Sequence, residues 1–250
     1  DTVLAFIMEP VGGASTGALV APDSYYGRIR EICDEFGILL IYDEVMTGVG
    51  RTGKFLAAEH WDINPDIIAT SKGFGAGYVP LGAMTARQHI VDTILNAGGF
   101  QHGYTYAGNP IACAAGLAVI NEIYAQDMMS NATNMGALLM LGLRSLMDKF
   151  PFIGDVRGKG LLTAFECVSD RKTMAPLPAS MGAFSHLVEL AYARGLIIYA
   201  RRSRGGLEGD HFLVCPPMIT TADQIADILA ILEDSLIAFA QKFNLPTSFA

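Results

Sequence analysis

Three short apolar runs set the limits on what this chain can fold into. Residues 3 to 8 (V-L-A-F-I-M), 38 to 42 (I-L-L-I-Y) and 67 to 70 (I-I-A-T) are continuous rather than alternating. Runs of that length, closed by Pro, Gly or Asp, predict strands covered on both faces. Between the first two, residues 22 to 36 place Tyr26, Ile29, Ile32, Cys33 and Phe36 on one helical face, and Gly37 ends that helix. P-L-G-A-M-T, 80 to 85, predicts a fourth strand. Strands alternating with helices predict an α/β domain with a mostly parallel sheet, in which ligands bind beyond the carboxyl ends of the strands.

Two long helices are expected next, at 109 to 126 and 130 to 149, and Phe150-Pro151 breaks the second. The texture then changes. V-R-G-K-G-L-L-T-A-F-E-C-V reads as a strand, 180 to 194 as a helix, L-I-I-Y-A and H-F-L-V-C as strands. Thr221 and Gln224 form a capping box that opens a last helix, whose inner face carries Ile225, Ile228, Leu232, Leu236, Phe239 and Phe243. The expected division is a large α/β domain over residues 1–150 and a smaller α+β domain over 151–250.

Hydrophobic residues make up 51% of the 250 and charged residues 17%, which implies a packed protein with an apolar surface suited to a subunit interface. The net charge of −8 argues against nucleic acid, whose phosphates require clustered Lys and Arg. No apolar run reaches the roughly 20 residues of a membrane span. Cys33, Cys113, Cys167 and Cys215 are far apart, so they read as buried reduced thiols in a cytoplasmic protein, not as a disulfide framework or zinc site. His60, His89 and His186 are scattered and offer no metal-ligand spacing. The chain opens at Asp1 almost inside a strand, as though it started within a domain.

Gly48-x-Gly50-x-x-Gly53 matches the dinucleotide fingerprint in letters but not in context. A Rossmann turn leads from strand directly into the first glycine, whereas Asp43 and Glu44 stand at this strand end and would repel a pyrophosphate. A Walker A loop fails as well, since Lys72 precedes its glycines.

Asp43 and Lys72 each fall at the carboxyl end of a predicted parallel strand, which would bring both to one sheet edge. For an arbitrary Asp and Lys the pairing would be a structural ion pair. A lysine desolvated in an apolar pocket is instead a nucleophile for carbonyls. A pyridinium cofactor requires that pair, a lysine for its aldehyde and a carboxylate for its ring nitrogen. The glycines after Lys72 would leave room for a flat ligand.

D-E-V-M-T-G-V-G-R-T-G, P-D-I-I-A-T-S-K-G-F-G-A-G-Y-V-P-L-G-A and H-G-Y-T-Y-A-G-N-P-I-A-C-A-A together resemble the class III (ω-amino acid) aminotransferases of PLP fold type I. E-P-V-G-G, V-R-G-K-G-L-L and C-P-P-M-I-T-T extend the resemblance over nearly the whole chain. The resemblance implies pyridoxal 5′-phosphate as cofactor. It makes Lys72 the Schiff-base lysine, Asp43 the partner of the pyridine nitrogen and Val45 the apolar residue against one ring face. Thr105 matches a threonine that binds the cofactor phosphate of the other subunit, which implies a homodimer with shared sites. Taken alone, Thr105 would be a loop hydroxyl capping a helix. Glu9 is similar to the family's acidic gate. Its arginine partner falls in A-R-R-S-R-G-G, where Arg201, Arg202 and Arg204 compete and Arg201 is nearest the strand end. The implied substrates are an amine donor and a 2-oxo acid, with no metal.

Two departures stand out. Met46 occupies a position where many members have Gln, and it cannot donate a hydrogen bond. An apolar residue there resembles the pyruvate-using ω-amine and β-alanine branch. The family's N-terminal half, with its phosphate loop and its second ring-stacking residue, is not in these 250 residues, so a companion segment is expected. The alternatives are another PLP reaction on the same scaffold, such as a 2,1-aminomutase or decarboxylase, and an inactive fragment or assembly module.

Overall fold

The structure, a computed structural model, describes residues 2–247; the side chain of Arg204 lies outside the described residues. The chain forms two compact units, Asp1–Pro10 with Ala21–Met129, and Val11–Val20 with Ser130–Ala250.

In the first unit, β1 (Ala5–Met8), α1 (Asp23–Phe36), β2 (Leu39–Asp43), β3 (Ile67–Thr70), β4 (Ala83–Ala86), α2 (Gln88–Asn96) and α3 (Pro110–Ala125) follow in order. The sheet runs β1-β2-β3-β4, the first three parallel and β4 antiparallel at the edge. Tyr26, Leu40 and Tyr42 are fully buried, and each such side chain contributes about 2 kcal/mol of apolar burial. Asp66 ties the layers together. Its carboxylate accepts the Leu40 N–H at 2.8 Å and Arg30 Nη1 at 2.9 Å, with Arg87 Nε at 3.3 Å. Two expectations are corrected. Phe6 and Ile7 of the edge strand β1 stay exposed, because they point to opposite faces of the sheet and among the described residues nothing covers either side chain. Phe36 is exposed in the last turn of α1, immediately before the left-handed Gly37 turns the chain.

The second unit contains most of α4 (Met128–Lys149), then β5 (Ile153–Lys159), β6 (Leu162–Asp170), β7 (Ala175–Pro176), α5 (Ala183–Tyr192), β8 (Tyr199–Ser203), β9 (Glu208–Val214) and α6 (Ala222–Phe243). The antiparallel order is β5-β6-β9-β8, with β7 on β6. The stretch expected to be one strand, V-R-G-K-G-L-L-T-A-F-E-C-V, is a hairpin turning at Gly160 and Leu161. Gly158 (φ +139) and Gly160 (φ +56) supply backbone angles that side chains resist. The strand expected at 196 to 200 forms at Tyr199–Ser203 instead. One core joins Leu139, Leu143, Phe165, Phe212, Leu232, Leu236 and Phe239, with Phe165 and Phe212 stacked at 5.0 Å. The Thr221–Gln224 capping box is present, and Ile228 and Phe243 on the inner face are partly buried. All four cysteines are free thiols, but Cys113 and Cys215 are exposed rather than buried.

Candidate active site

Asp43 is the last residue of β2, and it pairs in register with Ala69 of the parallel strand β3. Lys72 follows almost at once, after Thr70 closes β3. Parallel pairing therefore delivers both residues to the carboxyl end of the sheet, where α/β proteins bind ligands. Asp43 is half-buried, and its Oδ1 accepts the Val45 N–H at 3.0 Å. Neither Asp43 nor Lys72 makes an ion pair with a described residue, so a structural Asp–Lys bridge is not what holds them. A carboxylate and an amine at one sheet edge, both unspent on charge pairing, form a donor set that fits a pyridine nitrogen and an aldehyde.

The expectation of a desolvated lysine is not met, because Lys72 is exposed in this chain. Its backbone is the unusual feature. Lys72 has φ +42°, a left-handed angle that costs a non-glycine residue about 1 kcal/mol or more. Val49 (φ +58°) and Ala76 (φ +47°) share the condition. Ser71 Oγ donates to Leu81 O at 3.1 Å, and the Phe74 N–H to Ser71 O at 2.9 Å, which over-determine the turn.

Of the glycines after Lys72, Gly73 and Gly75 serve the chain's own packing, whereas Gly77 (φ +81°) has open space where a Cβ would stand. A Cβ on Gly75 would stand 2.3 Å from Val79 O, and one on Gly73 would stand 3.2 Å from Val49 Cβ. One on Gly116 of α3 would stand 2.4 Å from Leu81 Cδ2, so that glycine seats α3 against the Lys72 loop. Gly48 approaches Glu44 O, where a Cβ would stand at 2.8 Å. Gly48, Gly50 and Gly53 open no α-helix, in line with the rejection of a dinucleotide site.

Sequence reasoning missed Glu44. Its side chain is fully buried, whereas the adjacent Asp43 is not. It accepts the Ala57 and Ala58 N–H groups, each at 2.9 Å, and the Thr47 hydroxyl at 2.5 Å. Burial pushes its carboxyl above the usual range, against the lowering effect of those three donors. Glu44 thereby ties the Ala57–Ala58 backbone to the end of β2 and closes the 44–58 loop. The signal in the sequence was the D-E pair itself, since alternate residues at a strand end face opposite ways.

Thr105 is exposed in the turn before α3 and does not cap that helix. Asn109 does, accepting the Ile111 N–H at 2.9 Å and the Ala112 N–H at 3.2 Å. The α3 terminus is already satisfied, so a phosphate role for Thr105 would rest on its hydroxyl. Val45 is half-buried.

Glu9 lies in the first unit, and the arginine cluster in the second. Arg201 of β8 is exposed, its guanidinium 5.6 Å from the Tyr199 ring centroid, and it has no carboxylate partner among the described residues. Arg202 is committed elsewhere. It bonds Asp210 Oδ1 at 2.9 Å and lies 4.3 Å from the Phe184 ring. Arg204 cannot be placed, as its side chain lies outside the described residues. Arg201, Ser15 and Ser203 line one cavity of about 490 Å³ within the second unit.

The family model for class-III aminotransferases matches residues 1–236. Taurine–pyruvate aminotransferase of Bilophila wadsworthia is 38% identical over 251 residues, 98% of this chain and 54% of that protein. Leucine/methionine racemase of Thermococcus litoralis is 37% identical over 236 residues, 94% of this chain and 50% of that protein. A solved amine transaminase from an uncultivated Pseudomonas species, in its PLP-bound form, aligns with a TM-score of 0.87 and 40% identity, over 94% of this chain and 52% of that one. The chain thus spans about half the length of the curated relatives it matches. The expected fold, part of a parallel-sheet PLP fold type I domain followed by an α+β unit, is the fold of the solved transaminases.

Proposed function

The chain belongs to the class-III aminotransferases, and from that premise we propose that it carries out transamination with pyridoxal phosphate, from an ω-amino acid or primary amine to a 2-oxo acid, with pyruvate as acceptor. The observation that carries this reading is the convergence of Asp43 and Lys72 at the carboxyl ends of β2 and β3, with neither spent on an ion pair. Pyridoxal phosphate, when bound, supplies an aldehyde for the amino group and a ring that withdraws electrons. Lys72 would hold that aldehyde, and its Nζ would move the proton at the amine-bearing carbon of the substrate. Asp43 would accept the ring N–H, and Val45 would pack on the ring.

Arg201 would bind the substrate carboxylate, with Glu9 as its acidic partner when no second carboxylate is present. A guanidinium forks onto a carboxylate in two parallel hydrogen bonds. Thr105 would donate to a phosphate of a second copy. The exposed Tyr104 and Tyr106 that flank it in sequence support a homodimer interface, because adjacent exposed aromatics mark contact surfaces. A companion segment completing the site is part of the same reading, supported by the half-length matches. So is a cytoplasmic location, supported by four free thiols.

Two measurements test the assignment. Lys72→Ala should abolish turnover, and borohydride should fix added mass at Lys72; transamination by Lys72→Ala at the wild-type rate would refute the proposal. The racemase relative motivates a second reading, on the same scaffold, in which no amino group is transferred. Dependence on added 2-oxo acid separates them, because a racemase or mutase requires none.

A further inference from the structure

The V-G-G-A-S-T-G segment that follows Glu9 has no assigned role, and the second unit holds it by two side chains. Arg157 donates from Nε to Gly17 O at 2.7 Å and from Nη2 to Thr16 O at 3.0 Å. Its Nη1 is fixed by Asp155 at 2.8 Å and Glu166 at 2.6 Å. On the other side of Ser15, His211 Nε2 lies 2.8 Å from Ala14 O. A carbonyl can only accept, so Nε2 carries a proton. With Nε2 protonated in the neutral ring, Nδ1 is left to accept from the Ser203 hydroxyl at 3.5 Å, and its 3.3 Å approach to Gly209 O is a contact and not a hydrogen bond.

His211 is fully buried and stands in register with Arg201 on β8 and Glu166 on β6. Register partners share a sheet face. His211 is therefore on the face that presents Arg201, and it is bonded to the residue before Ser15. The seat is tight. Gly17 has φ +66°, and a Cβ there would stand 2.6 Å from His211 Cδ2 and 3.0 Å from Arg157 Nη2.

We infer that His211 is a positioning residue: through Ala14 O it holds Ser15 at the cavity lined by Arg201, making the hydroxyl a second donor for the substrate carboxylate. This deepens the proposed function and rests on the reading of Arg201 as the carboxylate ligand. The role requires a donor at the Nε2 position. Glutamine supplies one there, and asparagine supplies one at the Nδ1 position.

Amide hydrogen exchange over residues 12–17 and an NMR titration with pyruvate, on the full chain, test it. His211→Gln should retain exchange protection and pyruvate affinity. His211→Asn should lose the protection and weaken pyruvate roughly tenfold, the scale of one lost hydrogen bond. Like behaviour of the two variants would overturn the inference. So would a wild-type histidine ¹⁵N spectrum with Nε2 unprotonated, which requires no variant to fold. Arg201→Gln separates the two readings. Pyruvate binding that survives it would sink the carboxylate role of Arg201, while the exchange contrast still decides whether His211 holds the segment.

Discussion

The Glu44 carboxylate accepts the backbone N–H of Ala58, fourteen residues along the chain, at 2.9 Å in a site with no solvent exposure. That bond and its neighbour at Ala57 close the loop that carries Val45 and Val49 back onto the end of β2. Glu44→Ala would orphan two buried N–H groups, at about 2 kcal/mol or more. Glu44→Gln keeps an acceptor and should cost less. Equal urea midpoints for the wild type and Glu44→Ala would refute this role. Because burial raises its carboxyl, the contribution of Glu44 to stability is full below the ordinary Glu range and declines as pH rises through its folded value.

Asp66 has the opposite sign. Burial alone would raise its carboxyl, but the Leu40 N–H, Arg30 and Arg87 outweigh that and hold it below the usual range. Its stabilisation is present above the ordinary Asp value and is lost as pH falls through the lowered one. Asp66→Asn should cost about 2 kcal/mol at neutral pH, and the gap from wild type should narrow below about pH 4. Chemical denaturation at pH 7 and pH 3 checks it; a gap that widens in acid contradicts the assignment.

Tyr42 is buried, and its hydroxyl has no hydrogen-bond partner among the described residues. Burial pushes its phenol upward. An unpaired buried hydroxyl costs about 1 kcal/mol or more, so Tyr42→Phe should match or exceed wild-type stability. A lower melting temperature for Tyr42→Phe would show that the hydroxyl has a partner.

Lys72 sits at a left-handed backbone angle. Lys72→Gly removes that strain and should raise stability by several tenths to about 1 kcal/mol, while Lys72→Ala gains nothing. The contrast separates backbone relief from loss of the side chain. Equal melting temperatures for the two variants would rule the strain out.

Element order was legible in the sequence because the apolar runs are unambiguous. I-L-L-I-Y and I-I-A-T form strands within a residue or two of expectation, and Thr221 with Gln224 caps its helix as read. The hairpin at Gly160 was not legible, since R-G-K-G-L-L lies within one continuous β-like run and the turn is decided by glycine backbone angles. Exposure failed at Phe6 and Phe36, where apolarity predicted cover and position in the sheet or helix decided otherwise.

The motifs by themselves determined the family and the strand ends at which Asp43 and Lys72 fall, because strand length and parallel order fix where a strand ends. Which carboxylate of Asp43-Glu44 stays at the surface, which arginine is already bonded and which histidine holds the Ala14 carbonyl were decided by tertiary structure. Those roles depend on donors and acceptors brought together from distant positions: Ala58 for Glu44, Asp210 for Arg202, Ala14 for His211. A single sequence encodes the groups, and only packing tells which of them meet.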